Sequence, residues 1–300
     1  MDEKRRGRPG AGAAGGAPAQ DMGRGCALLM GEVNARFYRE QAASFSGTRR
    51  AAWPGWRRCL ADAGLDPGPL GGADGGARPG ARLGGGGEAP LRVLDVACGN
   101  LRLARFLASE LPGAPVRYRG VDSCPGLARG WERPAGWDAS LVEADLVRAL
   151  LDGDGRGLDG ALGGAGEQDL VACFGFLHHV PTFSARLCLL RALVSRLAPG
   201  GACCVSLWRF LSDPGLAARA RRTTEEAASA LGLAAGSLGE GDCLLGWQGA
   251  PGAWRYCHDF GDEEVDALVA GLGGAVEVLD RFLSDGRTGS LNAYLVLGRR

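Results

Sequence analysis

Leu91-Arg-Val-Leu-Asp-Val-Ala-Cys-Gly-Asn100 decides how this chain folds. Val93, Leu94 and Val96 make a short apolar strand, and Ala97-Cys98-Gly99 is a turn of small residues. A stretch of helical character, Leu101 to Leu107, follows. Strand, glycine turn and helix is the unit with which open α/β sheets hold a nucleotide-like ligand, because glycine lets backbone approach it. The stretch contains no G-x-G-x-x-G, and it places a carboxylate, Asp95, inside the end of the strand. A carboxylate there repels a pyrophosphate and suits a cationic ligand that carries an amino-acid group.

Working outward, probable strands are 91–96, 116–121, 139–143, 169–174, 201–208, 275–282 and 291–298. Helices are expected at 100–110, 124–131, 184–197, 216–231 and 262–271. The helix at 216–231 contains Thr223-Thr-Glu-Glu226, a capping-box pattern, so a shorter helix starting at Thr223 is equally consistent with the sequence. The last two strands have no helix between them and pair antiparallel. The result is an α/β, mostly parallel seven-stranded sheet with one antiparallel strand and helices on both faces.

Composition bounds the rest. The chain has 300 residues, a formal net charge of zero and an apolar fraction of 46%, which is enough for a buried core and advertises no polyanion or membrane partner globally. Its ten cysteines show no paired C-x-x-C spacing, so no metal site is expected. No apolar run is long enough to span a bilayer, and a reducing cytoplasmic location is the simplest expectation. Residues 1–25 are Gly-, Ala-, Pro- and Arg-rich and read as a disordered tail. Residues 26–63 read as an N-terminal helical lid, with apolar Val33, Phe37, Tyr38, Ala42 and Phe45 at helical spacing. The Gly/Pro-rich stretch 64–90 is a loop or linker. The main domain is 91–300, with a substrate-side insertion at 232–260.

Ligands in such sheets bind outside the carboxyl ends of the strands. There the sequence places Asp95, Ala97, Gly99 and Asn100 after the first strand, and Asp122 and Ser123 after the second. Asp145 and Leu146 follow the third strand, and Phe174 and Gly175 the fourth. As an ordered set, these resemble the motifs of class I S-adenosylmethionine-dependent methyltransferases, over about residues 90–210. The resemblance implies the Rossmann-like seven-stranded sheet and S-adenosylmethionine as cofactor. Asp122 would then be the ribose-binding acid and Asp145 the adenine-flanking acid. Leu101 stands where many members carry another glycine, and a side chain there would narrow the turn.

The flanks are similar to a narrower group. Phe37-Tyr38, Ala43-Ser-Phe-Ser-Gly-Thr-Arg49 and Trp53-Pro54 resemble the N-terminal signature of the wobble-uridine tRNA carboxymethyl methyltransferases. Trp254-Arg-Tyr-Cys-His-Asp-Phe260 and Asn292-Ala-Tyr294 resemble their late elements. That resemblance implies a tRNA substrate and a small activating subunit.

A carboxylate nucleophile needs no base and only a cation to hold it, which Arg49, Arg50 and Arg255 could supply; Arg49 and Arg255 are candidate positioning residues, with His258 as a third. His178 and His179 are adjacent, so at most one lines the cleft, and a structural role competes with proton transfer. For His258 the competing role is a satisfied structural histidine. Arg49-Arg50 and Arg57-Arg58, interleaved with Trp53 and Trp56, read either as a phosphate-and-base surface or as a solvated helix face. The alternatives to the tRNA enzyme are a small-molecule O- or N-methyltransferase and a catalytically silent scaffold.

Overall fold

The computed structural model describes residues 21–65, 89–153, 156–162 and 166–300. The basic run Lys4–Arg8 and most of the 64–90 stretch lie outside the described residues. The central sheet holds β1 (Leu91–Val96), β2 (Val116–Asp122), β3 (Asp138–Glu143), β4 (Gln168–Cys173), β5 (Leu197–Trp208), β8 (Val276–Ser284) and β9 (Asn292–Arg299). β6 (Asp242–Gly246) and β7 (Trp254–His258) form a separate hairpin. The sheet order is β3-β2-β1-β4-β5-β9-β8. β9 runs antiparallel to both its neighbours, so the seven strands carry one reversed member, next to the edge.

Alternation along β1 divides the core. Leu94 and Val96 face a cluster with Leu146, Leu162, Leu189 and Leu193, while Val93 faces Trp56, Leu107, Tyr118 and Tyr294. The first layer is built by α4 (Leu146–Leu151), α5 (Arg156–Leu162), α6 (Phe183–Val194) and α8 (Asp262–Leu272), and the second by α2 (Gly55–Asp62) and α3 (Arg102–Glu110). Buried on both faces, β1 and β4 are nearly continuous in apolar residues, as central parallel strands are.

The long helix α1 (Arg24–Gly47) crosses the carboxyl edge and packs with the hairpin and α7 (Pro214–Leu231). Met30, Val33, Leu244 and Tyr256 form their common core. Asn34 welds the two together: its Oδ1 accepts from Tyr256 N (2.8 Å) and its Nδ2 donates to Tyr256 O (3.2 Å).

Several elements differ from the expectations. Order begins before residue 26: Met22 is buried, the Asp21 carboxylate accepts from the N–H groups of Phe183 and Ser184, and α1 starts at Arg24. The expected helix at 124–131 is a single 3₁₀ turn, Pro125–Ala128, in a segment punctuated by Gly126 and Gly130. α7 starts at Pro214 and is N-capped by Asp213, whose side chain accepts from Leu216 N (2.9 Å). Thr223 therefore lies inside the helix, where its hydroxyl donates to Leu244 O (2.8 Å) and docks the hairpin. α4 and α5 were hidden by the surrounding glycines. No described helix is long and apolar enough to cross a membrane.

The Trp53-Pro-Gly-Trp56 turn is fixed by contact with β9. A Cβ on Gly55 would lie 2.5 Å from the Tyr294 ring. Asp285, buried and in a left-handed conformation (φ 68°), accepts from Gly55 N, Asn292 Nδ2 and Tyr294 Oη (3.2, 2.7 and 2.5 Å). Gly55→Ala is expected to destabilise the chain by about 1–3 kcal/mol through overpacking, measured as a lowered midpoint in urea. An unchanged midpoint would show that α2 can move off the sheet freely.

Candidate active site

One cavity of about 480 Å³ lies at the carboxyl ends of β1 to β5, roofed by α1 and residues 48–54. Its lining includes Asp95, Ala97, Gly99, Asn100, Asp122, Ser123, Asp145, Leu146, Phe174 and Gly175, together with Arg49 and Arg255. The structure thus brings together every site residue expected from the sequence except His258.

The turn after β1 is unusual in its backbone. Ala97, Gly99 and Leu101 all have positive φ (58°, 53° and 60°). For the two non-glycine residues this costs roughly 1–2 kcal/mol each. Leu101 does not narrow the turn: its side chain is fully buried in the α2/α3-side core, which holds the strained backbone in place.

Asp122 organises this end. Its Oδ2 accepts from Gly99 N and its Oδ1 from Cys124 N, both at 2.8 Å. The Gly99 N–H, which a pyrophosphate would need, is therefore spent on a carboxylate. Burial raises the pKa of Asp122, while these backbone donors oppose the shift. Asp95 is buried beneath the turn and accepts from Tyr118 Oη at 2.5 Å. Burial pushes its pKa up to about 7, with the Tyr118 hydrogen bond acting in the opposite direction. Asp145 is exposed and N-caps α4, accepting from Arg148 N (2.9 Å). Leu146 follows it, buried, in the first turn of that helix.

Across the sheet, Phe174 stacks on Trp56 (centroids 5.2 Å apart). Gly175 has φ 71° and donates to Ser206 Oγ (2.9 Å); a Cβ there would meet Trp53 at 3.1 Å. Asn100 Nδ2 donates to Arg49 O (2.8 Å) and so ties the turn to the roof.

The β5 side is cationic and aromatic. Arg255, on β7, is 7% exposed and its guanidinium lies 5.4–5.7 Å from the ring centroids of Phe37, Phe45, Trp208 and Trp247. Its Nε is buried without a partner. Arg49 sits over Phe45 at 4.9 Å, and its pKa is lowered by burial and by Arg255. Among the described residues, no carboxylate forms an ion pair with either arginine. Two arginines in one aromatic box, unpaired among the described residues, could receive an anionic group.

His179 is held by the lid. Its Nδ1 lies 2.8 Å from Tyr256 O, which only accepts, so Nδ1 carries the proton and Nε2 accepts from Tyr38 Oη at 2.7 Å. Burial, then Arg255, pushes its pKa down to about 3. Burial pushes Tyr38 up to about 12, against the opposing effect of Arg255. His178 also lines the cavity, with its pKa lowered well below the usual value by burial first and then by His179. Both histidines contribute to the cavity wall, where their adjacency predicts at most one, because they lie in a 3₁₀ turn at the end of β4. Donor atoms of His178, His179 and Cys257 lie within 4.8 Å of one another. Both nitrogens of His179 are already committed, so the trio does not offer three free ligands.

His258 corrects an expectation. It does not line the cavity but is buried on the other side of β7, with Nδ1 2.8 Å from Asp242 Oδ1 and Nε2 2.5 Å from Glu264 Oε2. Arg186 Nε stands 2.9 Å from Glu264 Oε1, outside hydrogen-bond geometry, and Tyr256 Oη donates to Asp242 (2.6 Å). Burial opposes the charged imidazole, yet the two carboxylates outweigh it and the pKa is raised. Strand alternation explains the placement: Arg255 and His258 are three residues apart on β7, so they face opposite sides.

Sequence reasoning missed Asn34, Tyr38, Arg102 and Asp285 as parts of this wall. Asn34 left a signal, a polar residue among the buried positions Ala27, Met30, Val33 and Phe37 of α1. Asp285 left none, because only folding brings the end of β8 to the Trp53–Trp56 turn.

No family model matches the chain, and no curated protein matches it. Among solved structures, it is similar to an S-adenosylmethionine-dependent methyltransferase from Methanosarcina mazei (16% identity, 69% of this chain and 91% of that one, TM-score 0.46). It is also similar to DhpI in complex with S-adenosylhomocysteine (15%, 90% and 97%, TM-score 0.47). A third likeness is to CalS10, an amino pentose methyltransferase from Micromonospora echinaspora (17%, 88% and 92%, TM-score 0.44). At these TM-scores the likenesses carry no weight for chemistry, which rests on the sheet order and the cavity of this chain.

Proposed function

We propose that this chain is an S-adenosylmethionine-dependent methyltransferase whose acceptor presents an anionic group. The observation that carries the cofactor is the commitment of the Gly99 N–H to Asp122. A turn that offers carboxylates in place of free N–H groups rejects a pyrophosphate and fits a phosphate-free cofactor with ribose hydroxyls and a cationic centre. Asp122 would accept from the ribose and Asp145 with Leu146 would flank the adenine. Asp95 would face the cationic end, and Gly99 and Gly175 would leave room for the chain between them. When bound, the cofactor supplies a methyl group already activated on a sulfonium, so the protein's task is alignment.

Neither histidine of the cavity wall is basic enough to take a proton from the acceptor, which supports the acceptor class. Burial makes Tyr38 much less acidic and His179 much less basic than usual, so the proton stays on Tyr38. The pair therefore acts as a hydrogen bond between lid and sheet, and His178 is too weakly basic to replace it. A carboxylate needs no deprotonation, and Arg49 and Arg255 would hold it. The specific acceptor we propose is a carboxymethylated wobble uridine of tRNA, converted to its methyl ester, with a small activating subunit as partner. The depth of Arg255 favours a small carboxylate metabolite as the second reading.

Three measurements test this. Titration calorimetry should show S-adenosylhomocysteine binding, and no heat at millimolar ligand would end the methyltransferase reading. Radiolabelled methyl should enter bulk tRNA rather than a small-metabolite extract; label confined to the extract would sink the tRNA acceptor alone. Arg255→Met should cut turnover about 100-fold and leave S-adenosylhomocysteine affinity within about twofold of the parent. Equal loss of both would place Arg255 at the cofactor.

A further inference from the structure

Acids and cations occupy different parts of the cavity wall, with Asp285 at the β8 end a further acid beyond the β5 side. The β2 and β3 ends carry Asp122 and Asp145, and the β5 side carries Arg49 and Arg255. Between them, where β1 meets β4, Asp95 stands with Arg102, the second residue after the turn's Asn100. Arg102 has no role in the assignments above.

Arg102 differs from most arginines that pack on the sheet. Arg57, Arg58 and Arg92 each face a carboxylate, on Glu110, Asp280 and Asp169, at 2.5–2.9 Å. Arg102 forms no ion pair with any described residue. It is half-buried in the cavity wall, its guanidinium lying 4.9 Å from the Trp53 ring and 5.4 Å from the Trp56 ring. Its one hydrogen bond runs from Nη1 to Ala51 O (3.2 Å), leaving most of its five N–H donors unspent. Trp53 in turn covers Gly175, so the guanidinium borders the gap between the two glycine turns.

We propose that Arg102 is the receptor for the α-carboxylate of the cofactor's amino-acid group. This proposal rests on the methyltransferase reading above. A zwitterionic head group placed between the glycine turns presents its ammonium to the buried acid beneath the turn and its carboxylate to Arg102. The tryptophan faces keep the guanidinium planar and partly dehydrated, which strengthens a charge-assisted hydrogen bond. The two anion receptors then do separate work: Arg102 for the cofactor, and Arg255 with Arg49 for the acceptor. Burial and the neighbouring Arg49 hold the pKa of Arg102 down to about 10, a burden that an arriving anion relieves.

The test is calorimetric and needs no turnover. S-adenosylhomocysteine and its decarboxylated analogue, which keeps the nucleoside and the amine, are titrated into the full chain and into Arg102→Met. The parent should prefer S-adenosylhomocysteine by about 30-fold or more, and Arg102→Met should lose that preference while binding the analogue as the parent does. Arg102→Lys should recover part of it. A variant that still discriminates as the parent does, or that loses both ligands equally with a lowered melting temperature, overturns the assignment. Failure of the parent to bind either ligand would instead overturn the methyltransferase reading on which it rests.

Discussion

His258→Ala should destabilise the folded chain by about 3 kcal/mol, because it removes the cation held between the carboxylates of Asp242 and Glu264 and leaves Asp242 with neutral donors alone. Asp242 would keep the Tyr256 hydroxyl and Glu264 the neighbouring Arg186, but the hairpin would lose its anchor to α8. Chemical denaturation of the variant against the parent measures this. The pH dependence has a definite sign. The folded pKa of His258 is raised above its ordinary value of 6.5, so the folded state holds the proton more tightly. The stabilisation is fully present below about pH 6.5 and is lost as pH rises through the higher folded pKa. The parent should therefore lose part of its stability advantage over the variant on the alkaline side of neutrality. Where both are folded, S-adenosylhomocysteine should bind them equally well. A fall in its affinity without a fall in stability would return His258 to the site.

The second large effect is on the cofactor. Asp122→Ala should weaken S-adenosylhomocysteine binding by about 100-fold or more, since it removes a charged acceptor from the ribose and frees the Gly99 and Cys124 N–H groups. Asp122→Asn is isosteric but can present an amide N–H to the Gly99 N–H, so it should not restore the parent affinity. Calorimetry at constant salt compares the three. Parent-like affinity in both variants would mean that the cavity is used differently. It would leave the sheet topology untouched.

These residues show how much of the site was legible in the linear chain. The acids at the ends of β1, β2 and β3 could be found because each strand's apolar residues (Val93, Leu94 and Val96; Val121; Leu141 and Val142) give way to a turn, and the acid stands at that carboxyl edge. Arg49 and Arg255 could be named, though more than 200 positions separate them, because both stand beside aromatic residues in distinctive short motifs. Asp285 and Asn34 were less accessible. Their partners, Gly55 with Tyr294 and Tyr256 with His179, are assembled only when the roof closes on the sheet. The glycine-rich crossover between β3 and β4 hid two short helices, since local propensity there opposes what packing against the sheet imposes.

His258 marks the boundary between the two kinds of information. Its neighbours in sequence placed it with Arg255 in one aromatic motif, and nothing in that motif shows which face of the strand each occupies. The alternation of β7 sends Arg255 into the cavity and His258 into an acid clamp behind it. Sequence by itself determined the strand–turn–helix unit, the order of the strand-end acids and the carboxylate inside the first strand, all consequences of local periodicity and residue chemistry. Tertiary structure alone decided that the Gly99 N–H is spent on Asp122, that Leu101 turns into the core, and that Arg102, Arg49 and Arg255 form no ion pair with a described residue. Each of these depends on which distant groups folding brings within hydrogen-bonding or Coulombic reach.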